Sequence, residues 1–130
     1  RTRARAEAVA ALADTWGNPG VVRVFDWAAR AQAAEGATLL VNTTSLGMQG
    51  APALDMSVDT LAAKATVADI VYVPLETDLL ARARSRGHMP INGLGMLVHQ
   101  AAYAFDLWFG QHPIFDNVLR DRLHRDLGEA

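Results

Sequence analysis

Three short clusters in this 130-residue chain carry side chains able to hold a polar ligand. Asn42-Thr43-Thr44-Ser45-Leu46-Gly47-Met48 sets four short polar side chains ahead of a glycine, offering hydroxyls and backbone amides to a ribose or a phosphate. The same string also reads as an ordinary capped turn. Asn92-Gly93-Leu94-Gly95-Met96 places two glycines where a helix opens. Such a backbone can lie close to a flat ligand, or can serve tight packing between elements. Gln100 falls four residues after Met96, on the same helix face. In so apolar a helix its amide needs partners, either backbone groups or a polar ligand. Tyr72 ends a predicted strand, where a tyrosine commonly packs with its hydroxyl at the surface.

Arg1, Arg3 and Arg5 open a predicted helix, at the end whose positive partial charge disfavours cations. They are either solvated or turned toward an anion. His88, His99, His112 and His124 are far apart and form no His-x-x-x-His pair, and there is no cysteine. A metal site, a disulfide framework and a cysteine nucleophile are therefore not expected. The sequence has no Gly-x-Ser-x-Gly elbow and no Walker-type loop.

The elements that must position these clusters follow from periodicity. Ala6, Val9, Ala10 and Ala13 recur at helical spacing over residues 3–15, predicting a surface helix packed on one face. The turn signal Gly17-Asn18-Pro19-Gly20 ends it, and residues 21–25 (Val-Val-Arg-Val-Phe) suit a strand. Residues 26–34 are Ala-rich, with Asp26 placed as an N-cap. Residues 38–41 and 66–72 are apolar runs without alternation, the mark of parallel strands buried on both faces. Residues 57–63 are the expected crossover helix. Residues 77–86 predict a second helix capped by Thr77 and stopped by Gly87, followed by a brief strand over 89–91. Residues 92–110 predict a long buried helix, and 113–127 a charged one with Ile114, Val118, Leu119 and Leu123 on a single face.

Alternating strands and helices imply an α/β fold with a parallel sheet. The loops starting near Asn42, Tyr72 and Asn92 then leave one carboxyl edge of the sheet, where open α/β sheets place their ligands. Apolar residues make up 51% of the chain and charged residues 20%, which predicts a folded core. A net charge of −2 supplies no footprint for nucleic acid or an anionic membrane. The apolar stretch over 91–109 is broken by Asn92, His99, Gln100 and Asp106 and fails as a membrane span. With Arg1 first and no initiator Met, something upstream is expected to be missing.

Taken in order, Asn42-Thr43-Thr44-Ser45-Leu46-Gly47-Met48, then Asp69-Ile70-Val71-Tyr72-Val73-Pro74 with Thr77, then Asn92-Gly93-Leu94-Gly95-Met96-Leu97-Val98-His99-Gln100, resemble the shikimate dehydrogenase family. Arg1-Thr2 followed by Arg5-Ala6 resembles the tail of that family's Asn-Arg-Thr motif. The resemblance implies a Rossmann-like three-layer sandwich around a parallel sheet, incomplete because the first strands and the glycine-rich loop are absent. It divides the chain into a partial NADP-binding domain over 1–110 and a C-terminal helix over 111–130 that packs toward a missing N-terminal substrate domain.

The implied reaction is reversible hydride transfer between NADPH and 3-dehydroshikimate, in a cytoplasmic enzyme of aromatic amino acid biosynthesis. By the resemblance, Arg1 and Arg5 bind the adenosine 2′-phosphate with Thr2 beside them, since guanidiniums suit a phosphate dianion. Thr44, Ser45 and the backbone of Ile70 line the cofactor groove, and Gly93 and Met96 lie against the nicotinamide. Tyr72 and Gln100 are the implied substrate residues. The family's catalytic Lys and Asp belong to the missing domain, so no acid or base is assigned here. Lys64 does not replace them, and the chain alone is expected to be inactive. The implied partner is a small-molecule substrate, with no nucleic acid or membrane, and a homodimer is compatible. A quinate/shikimate dehydrogenase of broader specificity and a non-catalytic dinucleotide-binding module are the competing readings.

Overall fold

In the computed structural model three short parallel strands form one sheet: β1 (Leu39–Asn42), β2 (Thr66–Asp69) and β3 (Met89–Ile91), in the order β1-β2-β3. The structure describes residues 2–17 and 20–128, so Arg1 and the Asn18-Pro19 part of the predicted turn lie outside the described residues. The register sets Leu40 beside Val67, Val67 beside Pro90 and Asn42 beside Asp69. Because side chains alternate along a strand, these residues share one face. Val67 on it is fully buried, whereas Leu39, Val41, Met89 and Ile91 on the opposite face are exposed. The strands are therefore covered on one face, not on both as their unbroken apolar runs predict.

The covering layer is helix α3 (Asp78–Ser85) together with residues 54–61. Thr77 caps α3, its hydroxyl oxygen accepting from the Leu80 amide at 3.4 Å, and Gly87 follows the helix end with φ +77°. Leu79, Leu80 and Ala83 turn inward and are buried. The expected crossover helix over 57–63 does not form. Leu54, Met56 and Val58 are buried while Asp55 and Asp59 are exposed, a period of two that belongs to extended chain, not helix. Arg82 fastens this segment to α3 by donating to the carbonyls of Met56 (2.6 Å) and Leu54 (2.9 Å).

Helix α1 (Arg3–Asp14) forms where expected but buries no residue, and Val9 is 65% exposed. Residues 21–25 are not a strand; β-branched residues supply propensity, and a strand also needs a neighbour to complete its ladder. The Ala-rich segment becomes a 3-10 turn (Trp27–Ala29) running into α2 (Arg30–Ala33). Asp26 precedes that turn without a side-chain cap, because its carboxylate accepts from Arg3 instead. Helix α4 (Leu94–Phe109) ends on Gly110 at φ +64°, the left-handed stop that glycine tolerates. It is not the buried helix its composition predicts: only Leu94 and Val98 are buried, and Trp108 is 77% exposed.

Helix α5 (Asn117–Gly128) starts four residues later than predicted, after Asp116, whose carboxylate accepts from the Leu119 amide at 2.8 Å. Of the predicted face, Ile114, Leu119 and Leu123 turn to one groove and Val118 does not. The groove, of ≈ 410 Å³, is shared with Leu97, Ala101 and Phe105 of α4, while Val118 is exposed. Among the described elements, α3 alone packs closely against the strands.

Candidate nucleotide site at the sheet edge

Asn42 and Asp69 end neighbouring strands on the covered face, and both are almost fully buried. The Asn42 amide nitrogen donates to Asp69 Oδ1 (3.0 Å) and to the Leu46 carbonyl (3.1 Å). Its oxygen accepts from the amide (3.0 Å) and the hydroxyl (2.8 Å) of Thr44. Only one orientation of the Asn42 amide satisfies all four bonds. Asp69 Oδ1 also accepts from the Val71 amide at 3.0 Å, and Oδ2 from the Thr77 hydroxyl at 2.8 Å. A buried carboxylate needs such donors in place of the water it loses.

The third loop joins through glycine. Gly93 donates from its amide to the Val71 carbonyl at 3.0 Å, and a Cβ at this position would overlap the Ile70 carbonyl. Gly93 is thus the close-packing glycine of the pair, whereas Gly95 faces open space. Three loops distant in sequence are drawn together in this way, and between them lies a cleft of ≈ 380 Å³. Thr43, Thr44, Ser45 and Met48 form one wall, residues 70–73 the other, and Met96 of α4 closes it.

Five of the residues singled out in the sequence meet here: Thr44, Ser45, Ile70, Tyr72 and Met96. Tyr72 is 37% exposed, so its ring borders the cleft without being sealed in it. The Thr44 hydroxyl gives its proton to Asn42 and accepts from the Leu46 amide (3.1 Å), leaving only lone-pair capacity toward a ligand. Gly93 sits behind the wall. Thr2, Arg5 and Gln100 are exposed and do not line the cleft. Gln100 therefore has solvent for its amide and does not need a buried partner. Arg1 lies outside the described residues.

The arginines at the start of α1 divide in role. Arg3 donates to Glu7 at 2.7 Å and to Asp26 at 2.6 Å, and the Asp26 hydrogen bond, followed by that of Glu7, raises its pKa above the ordinary guanidinium value. Arg5 sits exposed in the first turn of the same helix, where an incoming anion can reach it. Asp69 and its bond to Asn42 went unread in the sequence. The usable signal was two polar residues ending adjacent parallel strands, two positions after the inward-facing Leu40 and Val67.

The model of the Shikimate 5'-dehydrogenase C-terminal domain matches residues 93–119, from Gly93 through α4 into α5. The chain is 55% identical over 127 residues to the shikimate dehydrogenase (NADP(+)) of Methylobacterium radiotolerans, covering 98% of this chain and 43% of that protein. The chain belongs to the shikimate dehydrogenase family. It spans less than half the length of that relative. Among solved structures, a quinate dehydrogenase from Corynebacterium glutamicum in complex with NAD superimposes with a TM-score of 0.77 at 30% identity, covering 98% of this chain and 44% of that one. Shikimate 5-dehydrogenase from Thermus thermophilus in complex with NADP(H) and shikimate gives 0.70 at 32% identity, with the same two coverages. No helix of the described residues is long and apolar enough to cross a membrane, and no group of three potential metal ligands occurs among them.

Proposed function

We propose that this chain is the cofactor-binding portion of an NADP-dependent shikimate dehydrogenase, which reversibly reduces 3-dehydroshikimate to shikimate in cytoplasmic aromatic amino acid biosynthesis. The carrying observation is the convergence of Thr44, Ser45, Ile70, Tyr72 and Met96 on one cleft at the carboxyl edge of a parallel sheet, the position at which α/β folds bind nucleotides. The high identity to an NADP(+) enzyme supports the same reading. Residues 1–110 make up the cofactor-binding part, and the segment 111–130, which carries α5 (Asn117–Gly128), is directed at the substrate domain.

The cleft suits the nicotinamide end of the cofactor. Met96, Val71 and Ile70 give it apolar walls that exclude water from a flat ring, while Ser45 and the loop backbone offer polar contacts at its rim. Bound there, NADPH supplies the hydride. Met96 and Tyr72 act by position, holding ring and carbinol carbon at near-attack distance. Arg5, with Thr2 and Arg1, holds the 2′-phosphate through charge-assisted hydrogen bonds. Gln100, one turn beyond Met96, hydrogen-bonds a substrate hydroxyl. The proton that accompanies the hydride is handled outside this chain.

The test is NADP+ reduction by the protein expressed from its own gene, with shikimate and quinate compared. Faster turnover of shikimate is expected. The likeness to a quinate dehydrogenase bound to NAD favours a second reading, and clear preference for quinate and NAD+ would establish that reading instead. NADPH binding without turnover of either substrate would point to a non-catalytic binding module.

A further inference from the structure

We infer that Asn42 and Asp69 form a positioning pair that sets the spacing between the two cofactor-facing walls of the cleft. The inference rests on the proposed binding of NADPH in that cleft. The connection runs through two side chains: the Thr44 amide donates to Asn42 Oδ1, Asn42 Nδ2 donates to Asp69 Oδ1, and the Val71 amide donates to the same oxygen. Thr44 and Val71 stand on opposite walls. Asp69 Oδ2 extends the chain to Thr77, and thus to the start of α3, which is packed into the core. Neither member of the pair lines the cleft. Asp69 touches no ligand position, so its influence passes through Asn42 and Val71.

Pinning of this kind matters because strands end where their ladder ends. The ladder between the two strands ends with Ile70 N donating to Asn42 O at 3.1 Å, and the next backbone bond between the loops, Gln49 N to Val73 O at 2.9 Å, lies at their far ends. Between these two backbone bonds, the hydrogen bond from Asn42 to Asp69 ties residues 43–45 to residues 70–72. The bond is buried, with Asn42 4% and Asp69 2% exposed, so water does not compete for it.

The experiment measures NADPH affinity by fluorescence titration in the protein expressed from its own gene, with near-ultraviolet circular dichroism on the same samples to monitor the fold. Asn42→Ala and Asp69→Ala are expected to weaken NADPH about tenfold, the loss of a charge-assisted buried bond. Asp69→Asn should stay within about threefold of wild type: its amide oxygen can face Asn42 and Val71, while its NH2 meets a Thr77 hydroxyl that can accept. Asn42→Asp supplies a pH-dependent readout. Two carboxylates this close share a proton at low pH and repel when both ionise. One shared proton cannot also serve the Leu46 carbonyl, so the ratio of variant to wild-type dissociation constants starts above one at low pH and rises further, about tenfold, as pH increases. A role confined to stability would leave that ratio flat in the folded protein. Wild-type binding with Asn42→Ala within twofold, or a flat ratio for folded Asn42→Asp, overturns the positioning pair and leaves the proposed function standing. Wild-type protein that fails to bind NADPH overturns both.

Discussion

The backbone amide of Gly93 donates to the Val71 carbonyl at 3.0 Å, and the two main chains lie so close that no side chain fits at Gly93. This contact fastens the start of α4 to the loop after β2 and delivers Met96 to the cleft. The obstruction to a Cβ is the carbonyl of Ile70, a backbone group that cannot rotate away.

Gly93→Ala should consequently lower stability by about 2 kcal/mol, as overpacking against rigid neighbours does, and should weaken NADPH binding as Met96 shifts. Gly95→Ala, two residues on and facing open space, should change stability by no more than about 1 kcal/mol, in the stabilising direction. Chemical denaturation of the two variants side by side measures the contrast. Equal effects would mean that the Gly93 contact is not made.

Thr77 caps α3 and donates to Asp69. Thr77→Ala removes both bonds and strands one oxygen of a buried carboxylate, a loss of about 2–3 kcal/mol. Thr77→Ser keeps the hydroxyl and should recover most of it. Urea midpoints for the pair check this, and a serine variant as weak as the alanine one would assign Thr77's role to its methyl packing.

Much of this arrangement was legible before the fold was known, and the failures share a cause. The parallel pairing of the strands, the Thr77 cap, the Gly87 stop and the common edge for the loops at Asn42, Tyr72 and Asn92 followed from local chemistry and right-handed crossovers. Residues 57–63 misled because their composition suited a helix, while the alternating burial of Leu54, Met56 and Val58 was set by the sheet beneath. Residues 21–25 misled for the complementary reason, since propensity cannot supply a neighbouring strand. For Gly93 the two readings left open, ligand approach and tight packing, were separated only by the position of the Ile70 carbonyl. The Asn42–Asp69 bond depends on register, which spacing within either strand does not encode.

Arg3 and Arg5 differ in what holds them, and their removal should differ in kind. Arg5→Ala should lower the preference for NADPH over NADH by about tenfold or more, by loss of a charge-assisted phosphate contact. Arg3→Ala breaks exposed pairs with Asp26 and Glu7, which are worth little, and should leave the preference intact. The ratio of kcat/KM for the two cofactors is the measurement; a larger change for Arg3 would reverse the assignment.

Gln100 is exposed on α4, so Gln100→Ala should fold with near wild-type stability. Shikimate KM should rise several-fold while the NADPH dissociation constant stays within about twofold, the pattern of one lost hydroxyl contact. Equal weakening of both would make Gln100 a structural residue of the helix.

The central claim is that the cleft between residues 43–48 and 70–73 receives the nicotinamide. A crystal structure of the protein expressed from its own gene, with NADP+ and shikimate bound, tests it most directly. The account predicts the nicotinamide between Ser45, Ile70 and Met96, the 2′-phosphate at Arg5 and a substrate hydroxyl within hydrogen-bond distance of Gln100. A nicotinamide bound outside that cleft would contradict it.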